Sequence, residues 1–212
     1  MNQRQDLQKM KYFYELFPYP NRSIFTYPTR QSSFLAHGAF SYWASCGDIE
    51  KVTALWQNNR LKIPLKYEIS KLKMDVTFGV GKKILLVGCG TDEPLLFRIL
   101  HPLSDITGID LSEKNIARAR RRLNFFRVAR CFISASNWFS KSGETRLVCG
   151  DALQILAANE AEVYHHIQCF GVLHHQPNPR AFFLQLVEGL KCGATLRIMI
   201  YSKTGRRLER RI

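Results

Sequence analysis

Two glycines, four carboxylates and two adjacent histidines have the types and spacing to do chemistry in this chain. Gly88 and Gly90 flank Cys89, directly after the apolar run Ile84-Leu85-Leu86-Val87 and directly before Thr91-Asp92-Glu93-Pro94. An apolar run of this kind reads as a buried parallel strand, and glycines at its end permit a tight turn that a ligand can approach to van der Waals contact. Thr91 to Pro94 suit a helix N-terminus, where side-chain oxygens cap free N–H groups, carboxylates face the positive end and proline loses no hydrogen bond. A phosphate often occupies such a position. Here Asp92 and Glu93 put negative charge there, and Glu93 also stands where a dinucleotide fingerprint has its third glycine. The loop therefore fits a ligand with adenosine and ribose but no phosphate, carrying positive charge of its own.

Asp110 follows Gly90 by 20 residues, the interval at which a βαβ unit returns its second strand beside the first. It closes the strand-like Ser104–Asp110, where a carboxylate can accept ribose hydroxyls. Asp151 closes a third strand, Thr145–Cys149-Gly150, and either accepts from an adenine amine or caps the next helix. His174 and His175 follow a fourth strand ending at Phe170. Ligands sit beyond the carboxyl ends of such strands, so both histidines are candidates for proton transfer, or for packing and solvation alone.

The elements that position these residues are readable from periodicity. Leu7, Met10, Tyr14 and Phe17 give a first helix one apolar face, and Phe17-Pro18-Tyr19-Pro20 stops it. Helical stretches from Gln31 to Ser45 and after Asp48, rich in aromatics, read as a cap. Ser112 caps a helix with Ile116, Ala119, Leu123 and Phe126 inward and most of its arginines outward. Arg130 to Gly143 reads as a loop or partly helical insertion. Asn178-Pro179 starts a helix with Phe183, Leu186 and Leu190 on one face, closed by Gly193, and Ala194 to Ser202 is a fifth strand. The expected fold is α/β: a Rossmann-like, mostly parallel sheet flanked by helices (81–212), preceded by an N-terminal helical cap (1–80).

Composition bounds the reading. With 212 residues and 46% hydrophobic content the chain can bury a sizeable core, and it has no apolar run of bilayer-spanning length. A cytoplasmic protein is expected. The six cysteines are scattered without a C-x-x-C pair, so reduced thiols, with Cys89, Cys149 and Cys169 in buried strands, explain them better than zinc or disulfides. A net charge of +14, concentrated in Arg118–Arg130 and Lys203–Arg211, either keeps the surface soluble or attracts a polyanionic partner such as RNA or an acidic protein.

Together, Ile84–Thr91, Gly108-Ile109-Asp110-Leu111-Ser112, Gly150-Asp151-Ala152 and Gly171-Val172-Leu173-His174-His175 resemble the class I S-adenosylmethionine-dependent methyltransferases. The Phe17–Pro20 and Ile200–Ser202 segments are similar to a bacterial-type subgroup with a helical N-terminal region. The resemblance implies S-adenosyl-L-methionine as cofactor, with Gly88 and Gly90 near its methionine part, Asp110 at the ribose and Asp151 at the adenine. Cys89, Leu111, Ala152 and Phe170 complete the implied cofactor site, and the methyl acceptor is a protein, an RNA or a small metabolite. The chain departs from the family at Leu86, where many members have an acid, and at Asp92, where they have a third glycine. Five of the family's seven strands are readable, which implies a shortened form, a fragment, or another cover for the sheet edge. Two other readings remain: a non-catalytic module binding RNA or a protein through its arginines, and a nicotinamide dehydrogenase, which the carboxylates at the phosphate position disfavour.

Overall fold

The structure, a computed structural model, describes residues 3–26, 81–101, 103–133, 143–158 and 163–200. The aromatic cap expected between Gln31 and the helix after Asp48 lies outside these residues, as do Trp138, Phe139 and the basic stretch Lys203–Arg211. The described elements, in order, are α1 (Gln3–Leu16), β1 (Lys83–Val87), α2 (Glu93–Leu100), β2 (Asp105–Asp110), α3 (Glu113–Ile133), β3 (Thr145–Cys149), α4 (Ala152–Ala158), β4 (Tyr164–Phe170), a 3-10 turn (Leu173–His175), α5 (Pro179–Glu188) and β5 (Leu190–Met199). The five strands form one sheet in the order β3-β2-β1-β4-β5, with every neighbouring pair parallel. This is the Rossmann-like arrangement expected from the sequence.

Both sheet faces are covered, which is why β1 is apolar at successive positions rather than alternately. Ile84 and Leu86 face one side, where they pack with Ile106, Leu147, Phe97 of α2 and Ile116 and Ala119 of α3. Leu85 and Val87 face the other side, with Ile109, Ile167, Cys169, Ala152 of α4 and Phe182 and Leu186 of α5. The sheet order reverses direction at β1: β2 lies on one side of it and β4 on the other. A crevice opens beyond the strand ends at such a switch point.

Local chemistry explains the helix starts. The Ser112 hydroxyl accepts from the Asn115 N–H at 3.2 Å and the Asn178 side chain from the Ala181 N–H at 3.0 Å, so both act as N-caps. α1 ends at Leu16, ahead of Pro18, and packs on α3. Leu7, Met10 and Tyr14 form its partly buried side, but Phe17 lies past the helix end and is exposed.

Several boundaries differ from the sequence reading. α3 continues to Ile133, through the start of the expected loop. α5 ends at Glu188 with Gly189 as its C-cap, and β5 begins at Leu190, so Gly193 (φ 76°) lies within the strand. Starting α5 at Pro179 turns Phe182 and Leu186 inward and leaves Phe183 partly exposed. Cys149 is exposed because β3 is the outer strand, whereas Cys89 and Cys169 are buried as expected. Arg122 points inward and is only 1% exposed, unlike the solvated arginine expected there.

Candidate cofactor site

A cavity of about 290 Å³ lies beyond the carboxyl ends of β1, β2, β3 and β4. Its lining includes all of the cofactor residues expected from the sequence: Gly88, Cys89, Gly90, Asp110, Leu111, Asp151, Ala152 and Phe170. His175 also lines it. His174 does not, although its ring centroid lies 4.1 Å from that of His175 and both side chains are exposed.

The glycine loop is built by backbone hydrogen bonds that glycine makes possible. Gly88 and Gly90 adopt φ of 67° and 55°, a region that side chains disfavour. The Gly88 and Cys89 N–H groups both donate to the Ile109 carbonyl, at 2.8 and 3.0 Å, folding the loop toward the end of β2. The Gly90 N–H donates to Asp110 Oδ2 at 2.9 Å. The Cys89 thiol is buried, which raises its pKa well above the ordinary value, and Asp110 and Glu93 add to the effect. It is a neutral wall group, not a thiolate nucleophile.

Asp110 is the hub of the site. Besides Gly90, its carboxylate accepts from the Ser112 N–H at 2.8 Å and the Asn115 side-chain amide at 3.1 Å. Burial raises its pKa and these three hydrogen bonds pull it back down. A carboxylate has roughly four acceptor sites, so the protein occupies most of them and leaves capacity for a ligand hydroxyl. Asp151 takes the capping role, its Oδ1 accepting from the Leu153 N–H at 3.0 Å at the start of α4, and it also lines the cavity.

The two acids after the loop have separate environments. Asp92 makes no capping bond to α2. It pairs instead with Arg22 and Arg122, at 3.3 Å each. Glu93 is 8% exposed, lines the cavity and accepts from the Gln168 side-chain amide at 2.9 Å. Burial pushes its carboxyl up to about 8, against the pull of Gln168 and Arg197.

Sequence reasoning missed one wall. Met10 and Tyr14 of α1, with Tyr19, Pro20 and Arg22 after it, line the cavity. This strap is tied down at several points. The Thr91 N–H and hydroxyl donate to the Tyr19 and Pro20 carbonyls at 3.2 and 2.6 Å. The Tyr19 N–H donates to Asn115 Oδ1 at 3.2 Å, and Arg122 donates to the Ser23 and Thr26 carbonyls at 2.7 and 2.9 Å. The Phe17–Pro20 run signalled the helix end; nothing in the local pattern signalled that the segment returns to the loop 70 residues later.

The cavity offers a close-approach backbone, buried carboxylates and apolar walls. Among the described residues no cluster of His, Cys, Asp or Glu could hold a metal ion, and no helix is long and apolar enough to cross a membrane. Of the α3 arginines, Arg118 donates to Asn21 and Arg120 to the Leu147 carbonyl, while Arg122 is buried.

An uncharacterized Synechococcus protein is 30% identical over 125 residues, and the match covers 58% of this chain but only 26% of that protein's length. The chain thus spans about a quarter of the curated relative it matches. Among solved structures, an S-adenosylmethionine-dependent methyltransferase of Thiobacillus denitrificans in complex with S-adenosyl-L-homocysteine is similar over 57% of this chain and 42% of its own, at 21% identity and a TM-score of 0.42. A structure described as a putative methyltransferase of Bacillus halodurans is similar over 59% and 47%, at 23% identity and a TM-score of 0.42. Residues 85–198, from β1 into β5 and more than half of the chain, match the family described as "Methyltransferase domain". This chain belongs to the methyltransferase-domain family.

Proposed function

We propose that the cavity binds S-adenosylmethionine and that the chain catalyses transfer of its methyl group to an acceptor nucleophile. The family uses S-adenosylmethionine. The observation that carries the reading is the convergence of the glycine loop, Asp110 and Asp151 on one cavity from three separate strand ends. In this reading Asp110 accepts from a ribose hydroxyl, the Asp151 carboxylate faces the adenine, and the Gly88–Gly90 backbone meets the methionine part. When bound, the cofactor supplies an electrophilic methyl: the acceptor's lone pair attacks the carbon, the carbon–sulfur bond breaks, and sulfur keeps the electron pair.

The chain's own contribution is alignment and exclusion of water, through the strap on one side and the sheet ends on the other. An acceptor that carries a proton on its nucleophilic atom needs a base. His175 is the candidate, since it lines the cavity, and His174 beside it is the secondary one. If this holds, replacing both histidines lowers turnover on a protonated acceptor and leaves cofactor affinity unchanged; unchanged turnover would remove them from the mechanism.

Ultraviolet cross-linking with methyl-labelled S-adenosylmethionine tests the cofactor assignment. Label on a peptide from the glycine loop or the strap, displaced by S-adenosylhomocysteine and not by NAD, is the expected result. Label that NAD displaces equally well would favour a dinucleotide site instead.

A further inference from the structure

Asn115 stands in the first turn of α3, three residues after the Ser112 cap. A longer polar residue at this position commonly reaches back to the backbone N–H of the cap. Here that N–H already donates to Asp110 Oδ1 at 2.8 Å, and the Asn115 side chain turns to two other partners. Its Oδ1 accepts from the Tyr19 N–H at 3.2 Å, and its Nδ2 donates to Asp110 Oδ1 at 3.1 Å. One planar group, buried on the cavity wall, thus touches both the strap and the carboxylate at the end of β2. Ser112 makes a second link of the same kind: its N–H serves Asp110 while its hydroxyl donates to the Tyr14 carbonyl of α1 at 3.3 Å.

The chemistry of the partners fixes which way the amide points. A backbone N–H can only donate, so the Tyr19 N–H holds the amide oxygen toward the strap and leaves the NH₂ toward Asp110. With the strap lifted that constraint is gone, and the amide can turn its oxygen against the carboxylate. We propose that Asn115 is a positioning residue for the donor's ribose: it steadies Asp110 as a hydroxyl acceptor while the strap is seated, so that donor binding and strap order reinforce each other. The inference rests on the cavity being the S-adenosylmethionine site.

The other strap tethers have a different character. Thr91 holds the Tyr19 and Pro20 carbonyls, and Arg122 holds those of Ser23 and Thr26, whether or not a donor is present. Asn115 instead shares its second partner with the ligand. A ribose hydroxyl donating to Asp110 orders the carboxylate, and the Asn115 amide carries that order to the Tyr19 N–H. Coupling of this kind is reciprocal: whatever the donor adds to strap order, strap order adds to donor affinity. Tyr19, Pro20 and Arg22 line the cavity, so the wall that excludes water from the methyl is firmest when the donor is in place.

Calorimetric titration with S-adenosylhomocysteine, joined to amide hydrogen exchange over residues 21–26 with and without saturating ligand, tests this. Tyr19 is left out because its N–H loses its acceptor directly in one variant. In the wild-type chain the ligand slows exchange in the strap on the order of 10-fold. Asn115→Asp keeps an oxygen for the Tyr19 N–H but replaces the donor to Asp110 with a second carboxylate oxygen. It leaves strap exchange in the free protein within about twofold of wild type, weakens the ligand on the order of 10- to 100-fold, and brings the exchange ratio at saturation close to one. Asn115→Ala breaks both bonds: exchange in the free strap quickens, affinity falls on the order of 10-fold, and the ratio again shrinks. A purely structural Asn115 would quicken exchange equally with and without ligand and keep the ratio. An unchanged ratio in both variants, wild-type affinity in both, or no slowing by ligand in the wild type would overturn the role of Asn115 while leaving the cofactor site in place. No binding of S-adenosylhomocysteine to a folded wild-type chain would overturn the cofactor reading, and this inference with it.

Discussion

Asp110 shows how much one side chain can organise. Its carboxylate ties the glycine loop, the start of α3 and the cavity floor together through Gly90, Ser112 and Asn115. Asp110→Asn places an amide NH₂ among N–H donors, so at least one is left facing another donor. The expected cost is about 1–3 kcal/mol in urea unfolding together with loss of cofactor affinity; an unchanged midpoint would show that these bonds are not coupled to stability. Gly90 offers a sharper comparison with Gly81, because both have positive φ, 55° and 66°. A Cβ on Gly90 would lie 2.5 Å from the Tyr19 carbonyl oxygen, whereas a Cβ on Gly81 meets nothing within 4 Å. Gly81→Ala should cost roughly 1 kcal/mol from backbone strain, and Gly90→Ala about 1–3 kcal/mol more as the strap shifts. Equal costs in chemical denaturation would mean that the strap does not lean on the loop. The positions of Gly88, Gly90, Asp110 and Asp151 were legible because each follows an apolar strand at a spacing that topology fixes. The partners of Asp92 were not, since Arg22 and Arg122 lie far from it in sequence.

At the level of elements, the strap after α1 is the part of the site that sequence did not give. A residue pattern reports periodicity within a segment, and residues 17–26 have none; their order comes from long-range bonds to Thr91, Asn115 and Arg122. One arginine of α3 escaped the sequence reading for the same reason, although most of the others face outward as expected. Arg122 has the composition of a solvated face but turns inward to hold two strap carbonyls and Asp92. Arg122→Leu removes a buried cation and leaves those carbonyls and part of the Asp92 charge uncompensated. A loss of about 2–4 kcal/mol is expected, with faster proteolytic cleavage in 17–26; a midpoint unchanged within error would show that the strap is held by other contacts. The reading of α5 and β5 was displaced because two glycines, Gly189 and Gly193, could each have ended the helix, and only the register with β4 decides between them.

For the whole molecule, buried ionisable groups of opposite type set a pH optimum. His101 and His166 both stack against Phe97. Burial holds them down to about 4 and about 3, so the unfolded chain binds protons there that the folded chain does not. Stability from these groups is complete above their ordinary value and is lost as pH falls from 6.5 toward 4. Glu93 acts the other way: with its carboxyl raised from 4.5 to about 8, its contribution is complete at low pH and is lost as pH rises through that range. The unliganded chain should be most stable at roughly pH 6.5, where the opposing proton counts balance. Melting temperatures that rise or fall monotonically from pH 4 to 9 would contradict this. His101→Leu should flatten the acid side alone. The parallel, buried character of the sheet was readable from the sequence, because a parallel sheet with two covered faces leaves unbroken apolar runs; buried histidines were not, because a histidine pattern does not reveal what covers it. The claim on which the account depends is that the cavity is a cofactor site organised by Asp110. Calorimetric titration of the purified chain with S-adenosylmethionine, S-adenosylhomocysteine and NAD, with Asp110→Ala in parallel, measures it directly. Micromolar or tighter binding of the first two, no binding of NAD and loss of affinity in a folded Asp110→Ala chain are expected. A well-folded wild-type chain that binds none of them, or binds NAD in preference, would contradict it.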